Sequence, residues 1–180
     1  AKKRIISMFN FYFKDKYTEE FLFNKIKVIV GDITYKNLGF SDEQYKTLGN
    51  TLDLVIHSAA LVKHMGKYEE FEKLNLKGTK NVADFCMKYD IFLNHISTIS
   101  VSADFMPLNN TSDDVYFTEE DFFIGQNYNE NYYIKSKLLT EEFLLNNIKS
   151  GMLRANIYRV GNLTARHSDG IFQYNIDSNA

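Results

Sequence analysis

Cysteine and proline each occur once in these 180 residues, as Cys86 and Pro107, and tryptophan is absent. A lone cysteine excludes an internal disulfide framework and a zinc site built on several thiolates. Neither sign of charge dominates: 21 Lys and Arg stand against 23 Asp and Glu, a formal net charge of -2. No broad field therefore draws the chain to nucleic acid or to an anionic membrane. No apolar run approaches the roughly 20 residues of a membrane span, and the N-terminus lacks the apolar stretch of a signal peptide. The four histidines, His57, His64, His95 and His167, lack the spacing of metal ligands. The nine glycines include no G-x-G and no G-x-x-G, so no glycine-rich phosphate cradle is present. These absences predict a soluble, cytoplasmic protein without a resident metal.

What is present has the composition of an ordinary globule, 44% hydrophobic and 24% charged. A chain of this length is expected to form one domain, or part of one, and to remove roughly two-thirds of its unfolded surface from water. Residues 1–180 are read as one unit, since no linker, repeat or low-complexity tract interrupts them. Apolar residues at Ile5, Met8, Phe9, Tyr12 and Phe13 mark one face of an opening helix. The β-branched run Ile26–Val30, ended by Gly31 and Asp32, predicts a buried strand, and Thr51–His57 predicts a second. A helix is expected over 68–89, with Gly78 in its middle because the helix approaches the sheet closely there. A strand over 91–100, a polar acidic insert over 102–130, a long helix over 131–149 and a strand over 156–160 complete the pattern. Strands alternating with helices predict an α/β fold with a parallel sheet covered on both faces.

Chemistry concentrates at Tyr133 and Lys137, four residues apart and so on one face of the long helix. A free phenol titrates near pH 10, and a neighbouring ammonium is expected to pull that value down toward neutrality. Tyr12 and Lys16 share the spacing, so the pair gains its meaning from its surroundings. Thr98 lies at the end of a predicted strand, where open α/β sheets bind ligands, and its hydroxyl is placed to brace a carbonyl oxygen gaining charge. Ser58, Ala59 and Ala60 close another strand with small side chains that let a cofactor approach the backbone. Asp32 ends a third on the same edge. Cys86 falls on an apolar helix face and reads as a core thiol. Lys63, His64 and Lys67 read as a solvated turn.

Six blocks carry a resemblance: Val30–Ile33, Val55–Val62, Leu74–Asn81, Ile96–Val101, Tyr132–Lys137 and Tyr158–Leu163. In this order and spacing they resemble the extended short-chain dehydrogenases/reductases, and within them the thioester reductase domains of nonribosomal peptide synthetases. The resemblance implies a Rossmann-like, doubly wound parallel sheet. It also implies a Thr98, Tyr133 and Lys137 triad in which Tyr133 protonates a carbonyl oxygen as hydride arrives from NADPH, with NADH not excluded. Lys137 would hold the nicotinamide ribose, Asp32 and Ile33 the adenine, and Ala59, Ala60 and Leu61 the phosphate and ribose path. Gly161 and Asn162 would line the nicotinamide end, and Asn75 would support the site from a neighbouring helix. The implied partner is a phosphopantetheinylated carrier protein bearing an acyl or peptidyl thioester, released as aldehyde or carried on to alcohol.

The first strand, glycine-rich turn and helix of that fold have no counterpart here. The expectation is an incomplete fold, without the C-terminal substrate part, that binds NADPH weakly or not at all. The separation of Thr98 from Tyr133, 35 positions, is longer than in simpler members. The insert within it, with Asp104, Asp113, Asp114, Glu119, Glu120 and Asp121 among aromatic residues, reads equally as a lid over the substrate channel or as a solvated acidic loop. A nucleotide-sugar epimerase or a non-catalytic scaffold remain the alternatives.

Overall fold

A computed structural model describes residues 2–13, 18–63, 65–102 and 116–172. Contacts divide the chain into two compact units, Ala1–Val30 with Asn162–Ala180, and Gly31–Gly161.

In the terminal unit, α1 (Lys2–Phe13) follows the predicted apolar spacing and α2 (Glu19–Lys25) starts at Thr18, whose hydroxyl accepts from Phe21 N at 3.1 Å. Arg166 pairs with Asp169, donates to Tyr12 O at 2.6 Å and lies over the Phe13 ring. The strand expected over 26–30 does not form. Ile26 is extended, but the segment joins no ladder among the described residues and Val30 is exposed. β-Branched residues favour the extended backbone, but a strand also needs a neighbour to complete its hydrogen bonds.

The central unit holds a parallel sheet of three strands, β1 (Leu54–His57), β2 (Phe92–Thr98) and β3 (Ala155–Val160), in the order β1-β2-β3. The register pairs His57 with His95, and Ser97 with Arg159. β1 is shorter than expected because α3 (Asp42–Thr51), capped by Ser41 at its N-terminus, runs through Thr51. The helix expected over 68–89 forms as α4 (Tyr68–Phe71), a π-helical segment (Glu72–Lys77) and α5 (Gly78–Tyr89). Gly78 sits where a Cβ would lie 2.8 Å from Ile33 Cδ1, so the close approach is to the loop carrying Ile33 and not to the sheet. α6 (Tyr132–Lys149) begins at Asn131, whose side chain accepts from Ile134 N at 3.1 Å.

Period-2 alternation sends Val55, His57, Leu93, His95, Ser97, Ile157 and Arg159 to the face packed by α5 and α6. Leu93, Val82, Ala83, Phe85, Cys86 and Leu144 form the core there. Burial pushes the Cys86 thiol up to about 12, in keeping with its reading as a core residue. Leu54, Ile56 and Tyr158 point to the opposite face and are exposed, Ile56 by 65%. Among the described residues of this unit, α5 and α6 pack on the one face of the sheet, as in an incomplete Rossmann-like fold. No helix among the described residues is long and apolar enough to cross a membrane.

Candidate active site

Parallel strands end together, so the residues following His57, Thr98 and Val160 meet on one rim of the sheet. Thr98 is the last residue of β2, and the chain turns there into a short 3-10 stretch, Ile99–Ser102. The Thr98 hydroxyl donates to Ser100 Oγ at 3.1 Å and accepts from Ser100 N at 3.2 Å, which fixes its direction. The neighbouring Thr98 side chain draws the Tyr133 phenol pKa down, while burial exerts the larger, upward influence. The net direction is upward. Lys137, one helical turn on, is buried and donates to Ile96 O at 2.6 Å, two residues before Thr98. Burial lowers its pKa to about 8, against the raising effect of the Glu141 carboxylate.

Thr98 and Tyr133 are thus brought together as the sequence predicts, with Lys137 on the same helical face. The expected lowering of the phenol by the ammonium is not found. The ammonium is spent on the Ile96 carbonyl, and burial of the phenol outweighs the help of Thr98.

Asn75 lies in the π-helical segment, almost wholly buried. Its Oδ1 accepts from Leu61 N at 2.7 Å and its Nδ2 donates to Leu61 O at 3.2 Å and to Ser136 Oγ at 2.8 Å. Ser136 in turn donates to Tyr133 O at 2.8 Å. One amide therefore holds both backbone groups of Leu61 and joins them to α6. The wider π turn, in which Gly78 N bonds Lys73 O, accompanies a second use of this residue, since the Asn75 carbonyl accepts from the Thr79 and Thr140 hydroxyls. Ser58 and Ala59 are exposed, and Ala60 and Leu61 half-buried, on the path after β1. A Cβ on Gly161 would meet only Ile99 Cγ2, at 4.0 Å, so that glycine borders open space. Small residues and open space around a fixed backbone suit a nicotinamide dinucleotide.

The carboxylate of Asp32 accepts from Thr34 N and Thr34 Oγ1, both at 2.8 Å, which keeps it ionised. Asn81 donates to Ile33 O at 2.7 Å and to Tyr35 O at 3.3 Å, tying this loop to α5. Asn162 is exposed and belongs to the terminal unit. Asp104, Asp113, Asp114 and His64 lie outside the described residues. The described end of the insert is fastened: Gln126 donates to Val101 O at 3.1 Å and Phe122 O at 2.9 Å, and Arg159 donates to Thr118 O at 3.2 Å.

Sequence reasoning gave no role to Ser97, Ser136, Glu141 or Arg159. Glu141 accepts from Ser97 Oγ and, through Oε2, from Arg159 Nε at 3.0 Å and Nη2 at 2.8 Å. Its place four residues after Lys137 on a helix face was the available signal. His57 and His95, one from each of two paired strands, lie with rings 5.3 Å apart beneath the site. Because the Thr79 hydroxyl gives its proton to Asn75 O, His57 Nε2 carries the hydrogen that bridges to Thr79 at 2.9 Å.

The male sterility protein family, an NAD-binding family, matches residues 1–177. A thiolation-reductase di-domain from an archaeal nonribosomal peptide synthetase superposes with a TM-score of 0.79 at 34% identity, covering 99% of this chain and 46% of that one. The Aureusimine biosynthetic cluster reductase domain gives a TM-score of 0.65 at 34% identity, over 84% of this chain and 38% of that one. L-2-aminoadipate reductase of Saccharomyces cerevisiae is 34% identical over 87 residues, 46% of this chain and 6% of that protein. The chain spans less than half of these solved structures and a small fraction of the curated relative. With the sheet parallel, its rim gathering Thr98 and Tyr133, and the family pattern running from residue 1 to 177, the chain belongs to the NAD-binding male sterility protein family, with a Rossmann-like fold shared with reductase domains of nonribosomal peptide synthetases.

Proposed function

We propose that this chain forms the catalytic rim of an NAD(P)H-dependent reductase that releases an acyl or peptidyl group from a carrier-protein thioester as an aldehyde. The observation that carries the reading is the placement of Thr98, at the C-terminal end of β2, beside the half-buried Tyr133 phenol on the rim of a parallel sheet.

Ala59, Ala60 and Leu61 would border the phosphate and ribose path, Asp32 and Ile33 the adenine, and Gly161 and Asn162 the nicotinamide end. When bound, the cofactor supplies a hydride to the thioester carbon. Tyr133 gives its proton to the oxygen that gains charge, and Thr98 holds that oxygen in place. Lys137, buried and donating to Ile96 O, would offer its remaining donors to ribose hydroxyls. Asn75 keeps the Leu61 backbone and the Tyr133 helix in register. The resulting hemithioacetal collapses to an aldehyde and the free thiol of the carrier arm. The likeness to a thiolation-reductase di-domain supports a carrier protein as the partner.

The test is NADPH oxidation by the polypeptide expressed from its complete reading frame, offered an acyl-pantetheine thioester or a nucleotide sugar. Turnover of the thioester is expected. Tyr133→Phe should lower kcat by about 10²-fold or more while leaving nucleotide affinity within about threefold. Turnover confined to nucleotide sugars, or activity unchanged in Tyr133→Phe, overturns the reading.

A further inference from the structure

Glu141 is fully buried on α6, one turn beyond Lys137. Two residues reach it from the sheet, and they are cross-strand partners: Ser97 of β2 and Arg159 of β3. The next residues on those strands are Thr98 and Val160, followed by Gly161, so this is the last rung before the rim. Arg159 extends the connection outward, donating to Thr118 O at 3.2 Å and lying 5.0 Å over the Phe117 ring. A single carboxylate therefore meets the helix of Tyr133 and Lys137, the strand of Thr98, the strand leading to Gly161 and the returning end of the insert.

We infer that Glu141 and Arg159 are positioning residues of the reductase site, a buried ion pair that fixes the rim ends of β2 and β3 against the helix of Tyr133 and Lys137. The inference rests on the reductase reading for its link to turnover. A fold needing only a packed core would place apolar residues here, since burying two charges gains little net stability over a hydrophobic pair of similar volume. What the pair provides is fixed geometry and a fixed negative charge. The groups facing Lys137 are His57 from β1, His95 from β2, and Glu141 and Tyr133 from its own helix, with Arg159 from β3 behind Glu141. Both imidazoles are neutral because burial lowers them, so the Glu141 carboxylate is the nearby negative charge that favours the ammonium.

The experiment follows the Lys137 amine by NMR across pH in the polypeptide from its complete reading frame, with the resonance assigned through Lys137→Arg, alongside steady-state kinetics on an acyl-pantetheine thioester. Glu141→Gln alone leaves Arg159 buried without its partner and risks the fold, so the deciding variant is Glu141→Gln with Arg159→Met, which removes both charges. In that folded variant the Lys137 midpoint is expected to fall by about half a pH unit or more. Its kcat should drop about tenfold with KM within about threefold, and Glu141→Asp should recover most of the loss. A midpoint that does not move, or unchanged kcat in an active enzyme, overturns the inference. Absence of thioester turnover in the unaltered protein defeats the reductase reading instead, and the Lys137 midpoint still decides whether the ion pair holds the ammonium.

Discussion

Asn75, almost wholly buried, makes three side-chain hydrogen bonds, and each partner is itself part of the rim. Leucine at this position would match its size and leave Leu61 N, Leu61 O and Ser136 Oγ seeking partners. Unmade buried bonds cost about 1–3 kcal/mol each, though the loop after β1 lies near solvent and recovers some of them from water. Asn75→Leu is therefore expected to lower stability by about 2–4 kcal/mol, read from the urea midpoint, and to weaken nucleotide binding through the loosened Leu61 backbone. Asn75→Asp retains an acceptor for Leu61 N and loses both donations, so it should fall between the two. Equal stability of the leucine variant and the parent would show that the amide holds nothing.

At the scale of elements, the α3–α5 contact offers the sharpest steric forecast. Gly49 lies in α3, and a Cβ there would stand 2.4 Å from Tyr89 Cδ2 and 2.5 Å from Cγ of the same ring. Tyr89 packs against Tyr45 and Phe85, which restricts how far the ring can give way. Alanine gains up to about 1 kcal/mol in helix propensity over glycine, but overpacking a rigid ring costs about 1–3 kcal/mol. Gly49→Ala should destabilise on balance, and a raised melting temperature would refute the packing argument. This contact was invisible in sequence, where Gly49 reads as a poor helix residue. The helices at 68–89 and 131–149 were legible because their apolar spacing and the Asn131 cap are local properties. Thr98, Tyr133 and Lys137 could be singled out as candidates because a fixed spacing, Tyr133 to Lys137, and a strand end, Thr98, are also local. The failed strand at 26–30 marks the limit of local reading, since Ile26–Val30 has strand chemistry but a ladder is decided by a partner elsewhere. The Ser97–Glu141–Arg159 cluster was hidden for the same reason: its members lie on three elements and meet only through the register of β2 and β3.

For the molecule as a whole, the buried histidines set the response to acid. Burial, reinforced by the charge of Lys137, lowers His57 to about 4; the same two influences and His57 itself lower His95 to about 2. Both nitrogens of His95 are buried without a hydrogen-bond partner among the described residues. In the unfolded chain each ring takes a proton near its ordinary value of 6.5. Below that pH the unfolded state binds more protons than the fold, so stability declines as pH falls from 6.5, until the His57 share is lost near 4 while His95 continues to oppose folding. The His57 share alone is on the order of 3 kcal/mol, comparable with a large fraction of a domain's total stability. Acid unfolding should therefore set in above pH 4. His95→Leu separates the two rings: it removes an orphaned polar group from the core, so stability at pH 7 should hold or rise, and it removes one of the two acid-sensitive sites. Circular dichroism against pH should show its unfolding midpoint displaced to lower pH by about half a unit or more. A variant that unfolds at the same pH as the parent would mean that carboxylates, and not these imidazoles, govern the acid limit.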